Sequence, residues 1–371
     1  MRKRWEYKKI GNLCNISTGK LDANAANENG LYPFFTCSKT PLSINSYAYD
    51  CECVLVAGNG DLNVKYYNGK FNAYQRTYIL QLKNNSINVD MRFIYAFFNL
   101  YIEELRRKSI GGIIKYIKLG DLTNAKLPCP PLSTQLAIVS ELDKINELIR
   151  LKKEQLKDFD NLAQSLFYEM FGDPVENEKG WEVKKIGDLA LVKTGPFGSM
   201  LHKEDYICDG IPLVNPVHMK DFKIVPDLDF TISKEKASEL ENYLLKSNDV
   251  VFARRGDIGR CAIVSEAEQG FICGTGSLFV RFSKEIESIF IMYIIRCDSF
   301  SKHLISKAKG ATMLNINSNT IADLRIPLPP LSLQRLFAQR IEQIEREKSE
   351  VQKSIQDLET LLASRMQYWF E

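Results

Sequence analysis

Two stretches of this chain place mostly apolar residues at alternating spacings of four and three, the period of one face of a long α-helix. The first set is Ile138, Leu142, Ile145, Ile149, Lys152, Leu156, Phe159, Ala163, Leu166 and Met170. The second set is Phe337, Ile341, Ile344, Lys348, Val351, Ile355, Leu358, Leu362, Arg365 and Trp369. The pattern predicts helices over residues 133–172 and 332–371, each of about 38 residues and about 57 Å long at 1.5 Å per residue.

The apolar seam of each predicted helix is narrow, as in a coiled coil, and the other faces carry charges. Because so narrow a seam cannot wrap a globular domain, we expect the two helices to pair with each other. Pairing within one chain should be antiparallel if an approximate two-fold axis relates two copies. Lys152 and Lys348 would then lie opposite apolar residues. The alternative is that each helix packs on its own domain.

The segments that precede the helices are repeated. Residues 5–19 (WEYKKIGNLCNISTG) match residues 181–195 (WEVKKIGDLALVKTG) at nine of fifteen positions, with an offset of 176. Residues 128–133 (PCPPLS) recur as 327–332 (PLPPLS) with an offset of 199, so the middle of the second copy is longer by 199 − 176 = 23 residues. Ser133 and Ser332 are placed to cap the two helices.

The duplication predicts an α+β fold with two α/β globes in a pseudo-two-fold repeat. The globes occupy residues 1–132 and 173–331, and a long helix follows each of them. Inside each copy, short β-rich runs at 53–57 and 249–253 lead to Gly-Asp turns at Gly60 and Gly256. An apolar helix is predicted next, over 91–107 and 286–305.

Charge and cysteine usage exclude several classes of protein. Among 371 residues, 49 basic against 46 acidic side chains give a net charge of only +3, so a nucleic-acid site must be a local patch. Nine cysteines without a Cys-x-x-Cys pair and three histidines favour neither a disulfide framework nor a zinc site. The chain shows no signal-like or membrane-spanning apolar run, which predicts a cytoplasmic protein without a membrane partner.

Motifs for catalysis are also missing from the sequence. There is no P-loop, and the nearest match to an amino-methyltransferase Asn-Pro-Pro-Tyr is 215–218 (NPVH), without the second proline and the aromatic residue. Gly58-Asn59-Gly60 and Gly274-Thr275-Gly276 do not complete a dinucleotide-binding motif and are better explained as turns. We therefore expect no catalysis and no metal or cofactor in this chain.

Polar and basic residues concentrate instead at predicted loops, where they could bind DNA. Asn and Gln suit adenine edges, Arg and Lys suit guanine, and basic side chains also hold phosphates. The candidates in copy one are Lys39, Asn59, Asn63, Lys65, Tyr66, Lys70, Gln75, Arg76 and Lys115. Those in copy two are His202, Lys203, Asn215, His218, Arg254, Arg255, Arg260, Thr275, Ser277, Lys307 and Lys309.

Arg254 and Arg255 are the strongest of these candidates because a Gly-Asp turn could push their guanidinium groups into a groove. The alternative is that they pair with carboxylates on a solvated loop. Lys307 and Lys309 similarly fit either a phosphate contact or an ordinary solvated helix end.

The repeated motifs, in their order along the whole chain, resemble those of the specificity subunit of type I restriction–modification systems. The resemblance rests on the Trp-led openings, the Gly-Pro-Phe-Gly-Ser loop at 195–199, the ARRGDIGR stretch at 253–260 and the two Leu/Ile-Pro-x-Pro-Pro-Leu-x-x-Gln exits at 127–135 and 326–334. Copy one departs from this pattern, since it lacks that loop and has Asn12 where copy two has Asp188.

The resemblance implies two target recognition domains, each reading one half of a split DNA sequence, with the helices setting the gap. It implies two methylation subunits and restriction subunits as partners, with S-adenosylmethionine, ATP and magnesium bound there. Two rivals remain open. One is a coiled-coil scaffold for proteins without DNA readout, and the other is a fused enzyme whose catalytic half is absent from this chain.

Overall fold

The computed structural model describes residues 5–86, 88–197, 200–308 and 315–370. The chain forms two compact units, one of Met1–Gln155 with Val351–Glu371 and the other of Leu156–Glu350. The division falls inside both long helices. Each unit therefore consists of one globe, part of the helix that follows that globe and part of the other long helix.

Unit 1 is built on a six-stranded sheet with strand order β2-β7-β5-β6-β3-β4, and a two-stranded sheet pairs β1 with β8. Its strands are β1 (Glu6–Lys9), β2 (Cys14–Thr18), β3 (Tyr32–Phe35), β4 (Leu42–Ile44), β5 (Tyr49–Ala57), β6 (Val64–Ala73), β7 (Thr77–Leu82) and β8 (Lys126–Cys129). Its short helices are α1 (Ile10–Leu13), α2 (Met91–Lys108) and α3 (Leu119–Thr123).

The core of unit 1 lies on both faces of β5. Val54 and Val56 pack towards α2 with Phe93 and Phe98, whereas Cys53 and Leu55 pack in a second cluster on the opposite face. This alternation follows from the two-residue period of a strand. The helix α2 begins at a side-chain cap, because the Asp90 carboxylate accepts a hydrogen bond of 3.0 Å from the Phe93 amide.

Unit 2 contains four-stranded sheets with orders β10-β19-β16-β17 and β11-β15-β12-β18. Its strands are β9 (Val183–Lys185), β10 (Ala190–Thr194), β11 (Tyr206–Ile207), β12 (Ile211–Val214), β13 (Met219–Lys220), β14 (Lys223–Ile224), β15 (Thr231–Ile232), β16 (Val250–Ala253), β17 (Cys261–Ile263), β18 (Ile272–Cys273), β19 (Ser277–Phe282) and β20 (Arg325–Pro327). Its short helices are α5 (Ile186–Leu189), α6 (Lys234–Glu239), α7 (Ser288–Arg296), α8 (Asp298–Lys307) and α9 (Ser318–Ala322).

The single apolar helix predicted over 286–305 is wrong, because the structure has α7 and α8 there. Cys297 between them has an extended backbone, with φ −65° and ψ 132°, and its thiol donates to the carbonyl of Tyr293. The break lets Phe300 and Leu304 of α8 join the core of unit 2. Asp298 stands in the first turn of α8, where an acidic side chain is favourable.

The two globes repeat the same central strands. Ala57 of β5 pairs with Thr77 of β7, and Ala253 of β16 pairs with Ser277 of β19. The Ile10 amide donates to the carbonyl of Ala125, and in unit 2 the Ile186 amide donates to that of Leu324, both over 2.9 Å. The predicted α+β fold with two related globes is confirmed.

The long helices are α4 (Leu132–Phe171) and α10 (Leu331–Phe370). The expectation that Ser133 and Ser332 cap them is wrong, because both serines lie inside the helices. The acceptors of the first helical hydrogen bonds are instead the carbonyls of the prolines that precede the helices. The Thr134 amide donates to the carbonyl of Pro131, and the Leu333 amide donates to that of Pro330, both over 2.9 Å.

A buried glutamine fastens each long helix to its globe. Gln135 donates to the carbonyls of Pro130 (2.8 Å) and Asn88 (3.0 Å), while its side-chain oxygen accepts from the Asp90 amide. Gln334 repeats this, donating to the Pro329 carbonyl and accepting from the Glu287 amide. The glutamine of the repeated exit motif thus joins the start of the long helix to the start of a globe helix.

In unit 1 the two long helices run antiparallel. Glu141 of α4 binds Arg365 of α10 and accepts from the Trp369 indole at 3.1 Å, and further along Lys153 pairs with Glu359 at 2.8 Å. The alternative of packing on a globe is also partly right, since Ile138, Val139 and Leu142 of α4 belong to the core of unit 1.

Unit 2 shows the same antiparallel pairing. Phe167 and Phe171 of α4 lie with ring centroids 5.6 and 5.3 Å from that of Phe337. Further along α10, the Lys348 ammonium is 2.8 Å from the Asp160 carboxylate. Lys348 therefore faces a carboxylate and not the apolar partner that the seam pattern suggested.

The described residues include no helix long and apolar enough to span a bilayer. The same residues hold no cluster of three or more side chains that would suit a metal ion. All nine cysteines are free thiols.

We predict that Gln135→Leu and Gln334→Leu each lower the free energy of unfolding by about 1–3 kcal/mol, because leucine leaves the buried backbone groups without partners. Thermal and denaturant unfolding would measure the loss. Gln352→Leu, at an exposed position of α10, is the control and should change stability little. Equal unfolding curves for all three variants would contradict this role of the glutamines.

Candidate nucleic-acid interface

Four segments of unit 1 are held side by side by backbone hydrogen bonds, and we call them the loop frame of unit 1. The Gly58 amide donates to the carbonyl of Arg76 (2.8 Å), and the Gly60 amide donates to that of Lys115 (3.0 Å). The Ile117 amide donates back to the carbonyl of Gly58 (3.0 Å). The Gly19 amide adds the end of β2 to this group by donating to the carbonyl of Thr77.

Gly19 is required in this frame because the chains approach too closely for a side chain. A Cβ at this position would lie 2.1 Å from the carbonyl oxygen of Ala73. Gly195 stands at the same place in unit 2, where a Cβ would lie 2.0 Å from the carbonyl oxygen of Gly274. The Thr-Gly pair of the repeated opening motif is thus explained by backbone packing.

The loop frame of unit 1 includes the predicted residues Asn59, Gln75, Arg76 and Lys115. A cleft of about 350 Å³ runs through it, lined by Thr18, Gly58, Gln75, Arg76, Tyr78, Tyr116, Ile117, Lys118 and Leu119. Thr18, Tyr116 and Lys118 were missed by the sequence reasoning. Of these three residues, Lys118 could have been predicted, because it lies only three residues beyond the candidate Lys115.

The basic side chains of this cleft are not neutralised by the protein. Arg76, Lys115 and Lys118 are exposed, and none has a carboxylate partner within 4 Å among the described residues. The nearby Asp61 carboxylate lies instead against Lys39 (3.3 Å) and Arg106 (3.6 Å). The cleft therefore carries free positive charge, which suits an anionic ligand.

Lys39, Asn63 and Lys65 form a network beside the frame. The Asn63 amide donates to the Cys37 carbonyl (2.8 Å), and its oxygen accepts from the Lys65 ammonium. Burial lowers the pKa of Lys65. Because these groups already have protein partners, the network is better suited to holding the loops than to reading a ligand.

Tyr66 and Lys70 make their contacts outside the frame. The Tyr66 hydroxyl donates to the Glu52 carboxylate at 2.7 Å, and burial together with that carboxylate raises the pKa of Tyr66 to about 12. The Lys70 ammonium lies 4.8 Å from the ring centroid of Tyr47. The structure does not bring these two candidates to the other predicted residues.

Three of the four hydrogen bonds that define the loop frame of unit 1 have a counterpart among the described residues of unit 2, and we call this set the loop frame of unit 2. The Arg254 amide donates to the carbonyl of Gly276 (3.1 Å), and the Ile316 amide donates to that of Arg254 (2.9 Å). Gly195 donates to the carbonyl of Ser277 (3.0 Å). Arg255 forms a β-bridge with Asn315, as Asn59 does with Tyr116 in unit 1.

The two frames carry different side chains at matching places. Arg254 and Arg255 stand where unit 1 has Gly58 and Asn59, and Asn315 stands where unit 1 has Tyr116. Thr275 and Gly276 replace Gln75 and Arg76. The backbone arrangement is conserved between the units while the chemistry it presents is not.

Polar atoms in the loop frame of unit 2 lack partners in the described part of the chain. These are Arg254 Nε, Ser277 Oγ and Asn315 Oδ1, all buried. Burial, followed by the charge of Arg255, lowers the pKa of Arg254. Arg255 is exposed and has no carboxylate partner among the described residues. The alternative of carboxylate pairing therefore does not hold for Arg254 and Arg255.

Carboxylate pairing does hold for Arg260. Its guanidinium donates to the Asp257 carboxylate at 3.0 and 2.8 Å and to the Pro216 carbonyl at 3.2 Å. Asn215 accepts from the Gly276 amide (3.1 Å), and the buried His218 accepts from the Asn215 amide through Nδ1 (3.1 Å). Asn215, His218 and Arg260 therefore brace the loop frame of unit 2.

Among the described residues, His202, Lys203 and Lys307 make no hydrogen bond or ion pair with the loop frame of unit 2. The His202 amide donates to the Asp205 carboxylate at 2.6 Å, and Lys203 beside it is exposed. Lys307 is exposed in the last turn of α8. Lys309 lies outside the described residues.

A duplicated globe that presents different polar loops on one repeated backbone frame, together with paired long helices, defines a modular recognition protein. The family model for the type I restriction modification DNA specificity domain matches this chain twice, at residues 2–158 and 178–360. The chain therefore belongs to the family of type I restriction–modification specificity subunits. Because these subunits are non-catalytic, the family confirms the expectation that this chain is not itself an enzyme.

Individual relatives agree with the family. The EcoDI specificity subunit of Escherichia coli is 40% identical over 153 residues, which cover 41% of this chain and 34% of that protein. This chain thus spans about a third of the EcoDI subunit. The MjaVIII specificity subunit of Methanocaldococcus jannaschii is 22% identical, covering 96% of this chain and 92% of that protein.

Solved structures show the same fold. The S subunit of a type I system from M. genitalium aligns with a TM-score of 0.59 at 15% identity, over 100% of this chain and 97% of that one. A chain from a structure on complex assembly and conformational transition of the type I restriction–modification system aligns with a TM-score of 0.64 at 17% identity, over 100% and 98%.

We predict that Gly19→Ala destabilises unit 1 by about 1–3 kcal/mol, because the new Cβ meets backbone that has to move. Thermal unfolding would measure the effect. Gly120→Ala in α3 is the control, since the nearest atom to its Cβ would be 3.8 Å away. A Gly19→Ala protein as stable as the control would show that the frame tolerates a wider spacing.

Proposed function

We propose that this chain recognises a bipartite DNA sequence, with each loop frame reading one half. The supporting observation is that one backbone frame occurs in both units with different side chains. Two domains that bind the same DNA sequence would not need different side chains at matching positions. Two frames with different chemistry instead suit two different half-sites.

The side chains of the frames have the chemistry that base reading requires. In unit 1, Gln75 and Asn59 can bind adenine edges, and Arg76 can bind guanine through two hydrogen bonds. In unit 2, Arg255 supplies a free guanidinium, and Thr275 can pair with either kind of edge. Lys115 and Lys118 suit phosphates, which position the protein without reading sequence.

The rival of a coiled-coil scaffold without DNA readout is less well supported. It would be favoured by basic loop residues scattered over each globe, as Lys70 and Lys203 are. Arg76, Lys115 and Lys118, however, belong to one frame and have no carboxylate partners among the described residues, so their charge is available to attract an anion such as DNA.

The partners proposed for this chain follow from its family. We expect two methylation subunits, docked through the long helices, and restriction subunits that join through the methyltransferase complex. S-adenosylmethionine, ATP and magnesium would bind to those partners and not to this chain.

We predict that Arg76→Ala and Arg255→Ala each weaken binding of the specific duplex by about 1–3 kcal/mol if the arginine reads a guanine. Arg76→Ala should relax the first half of the target, and Arg255→Ala the second half. Sequencing of methylated adenines in cells that express each variant with its methylation subunits would show which half changes.

Arg325→Ala is the matched control, because Arg325 is exposed on β20 outside the frame. A uniform loss across sequences with a shallower salt dependence would reassign the arginine to a phosphate contact. Affinity and methylation pattern unchanged in both variants would contradict DNA reading by the loop frames.

We further propose that α4 and α10 set the gap between the half-sites. Inserting four residues into each helix, after Gln155 and after Glu350, adds about 6 Å at 1.5 Å per residue and nearly preserves the heptad phase. We predict the same two half-sites with a gap longer by one or two base pairs, read by methylation mapping.

Inserting the same four residues in the exposed turn after Glu28 is the control and should leave the gap unchanged. Size-exclusion chromatography would verify that each variant is folded and bound to its methylation subunits. An active helix variant with the original gap would mean that the helices only dock partners.

A further inference from the structure

Two exposed isoleucines, Ile113 and Ile114, project from the loop frame of unit 1. Ile110 and Tyr116 exchange backbone hydrogen bonds of 3.0 and 2.8 Å, which close a hairpin over the residues between them. At its tip Ile113 is fully exposed and Ile114 is 61% exposed. Gly111, with φ +120°, makes the turn that raises this tip.

The surroundings of the tip indicate what covers it. The Lys115 carbonyl fastens the hairpin to Gly60, and Arg76 and Lys118 line the adjoining cleft without carboxylate partners among the described residues. An apolar tip beside basic side chains suits a ligand that is negatively charged outside and apolar inside. Duplex DNA is such a ligand, because its phosphates surround stacked bases.

We propose that Ile113 and Ile114 form a wedge that enters the groove read by the loop frame of unit 1 and parts one base step of the first half-site. Aliphatic side chains inserted between bases unstack them and bend the duplex, which adds contacts at the cost of stacking. The bend would bring the phosphates towards Lys115 and Lys118. The wedge rests on the proposed function, and it adds readout of DNA deformability to the base contacts of the frame.

The experiment uses the full chain co-purified with its methylation subunits and duplexes that contain its mapped target. With 2-aminopurine placed at each position of the first half in turn, we expect fluorescence to rise at one base step on binding. The double variant Ile113→Ser, Ile114→Ser should give no rise and bind about 10- to 100-fold more weakly. A duplex with an abasic nucleotide at that step should restore most of the affinity, because its stacking is already broken.

Leu31→Ser is the matched control. Leu31 is 83% exposed in the same unit and lies in the turn before β3, outside the frame. This control should bind and fluoresce like the wild type. Because Ile113 is fully exposed and Ile114 is mostly exposed, the thermal unfolding of the double variant should stay close to that of the wild type.

Three results would overturn the wedge. The double variant could bind and fluoresce like the wild type. Replacing thymine by deoxyuracil in the first half could reproduce the loss, which would assign the isoleucines to thymine methyl groups in the major groove. The double variant could also fail to co-elute with the methylation subunits, which would make the tip a protein contact. If Arg76→Ala and Arg255→Ala still weaken binding, the wedge alone fails and the proposed function stands.

Discussion

Both loop frames depend on backbone hydrogen bonds that hold their segments side by side. In unit 1 the amides of Gly19, Gly58 and Ile117 bind carbonyls of neighbouring segments, and Gly195, Arg254 and Ile316 do so in unit 2. Since these bonds use only main-chain atoms, side chains on the loops are free to change. A frame of this kind allows new target sequences without a new fold.

A second set of hydrogen bonds joins each globe to the long helix that follows it. Gln135 and Gln334 bind the carbonyl of a proline before each long helix and the amide at the start of a globe helix. The antiparallel contacts that follow, such as Glu141 with Arg365 in unit 1, place apolar residues of both long helices in the core of each unit. Globe and helices therefore fold as one body within a unit, and a loop change leaves this part of the structure intact.

Much of the fold could be predicted from the sequence because periodicity and duplication reflect packing directly. The helical seam and the two related globes were predicted in this way. The prediction that Ser133 caps α4 was wrong, because the carbonyl of the preceding proline accepts the first helical hydrogen bonds. The prediction of one helix over 286–305 was wrong because an apolar run alone does not reveal the break at Cys297. The site was harder to predict, since composition cannot tell Arg255, which is free, from Arg260, which Asp257 holds. Tyr116 and Lys118 were not predicted either, because only long-range hydrogen bonds bring their segment to the frame.

We propose that DNA contacts the two loop frames. Hydrogen–deuterium exchange of the full complex, with and without its specific duplex, tests it most directly. We predict that DNA slows exchange in peptides spanning 58–60, 75–77 and 115–118 of unit 1 and 254–256 and 275–277 of unit 2, with little change at 66–70 and 202–205. Protection confined to the long helices, or to only one frame, would contradict it.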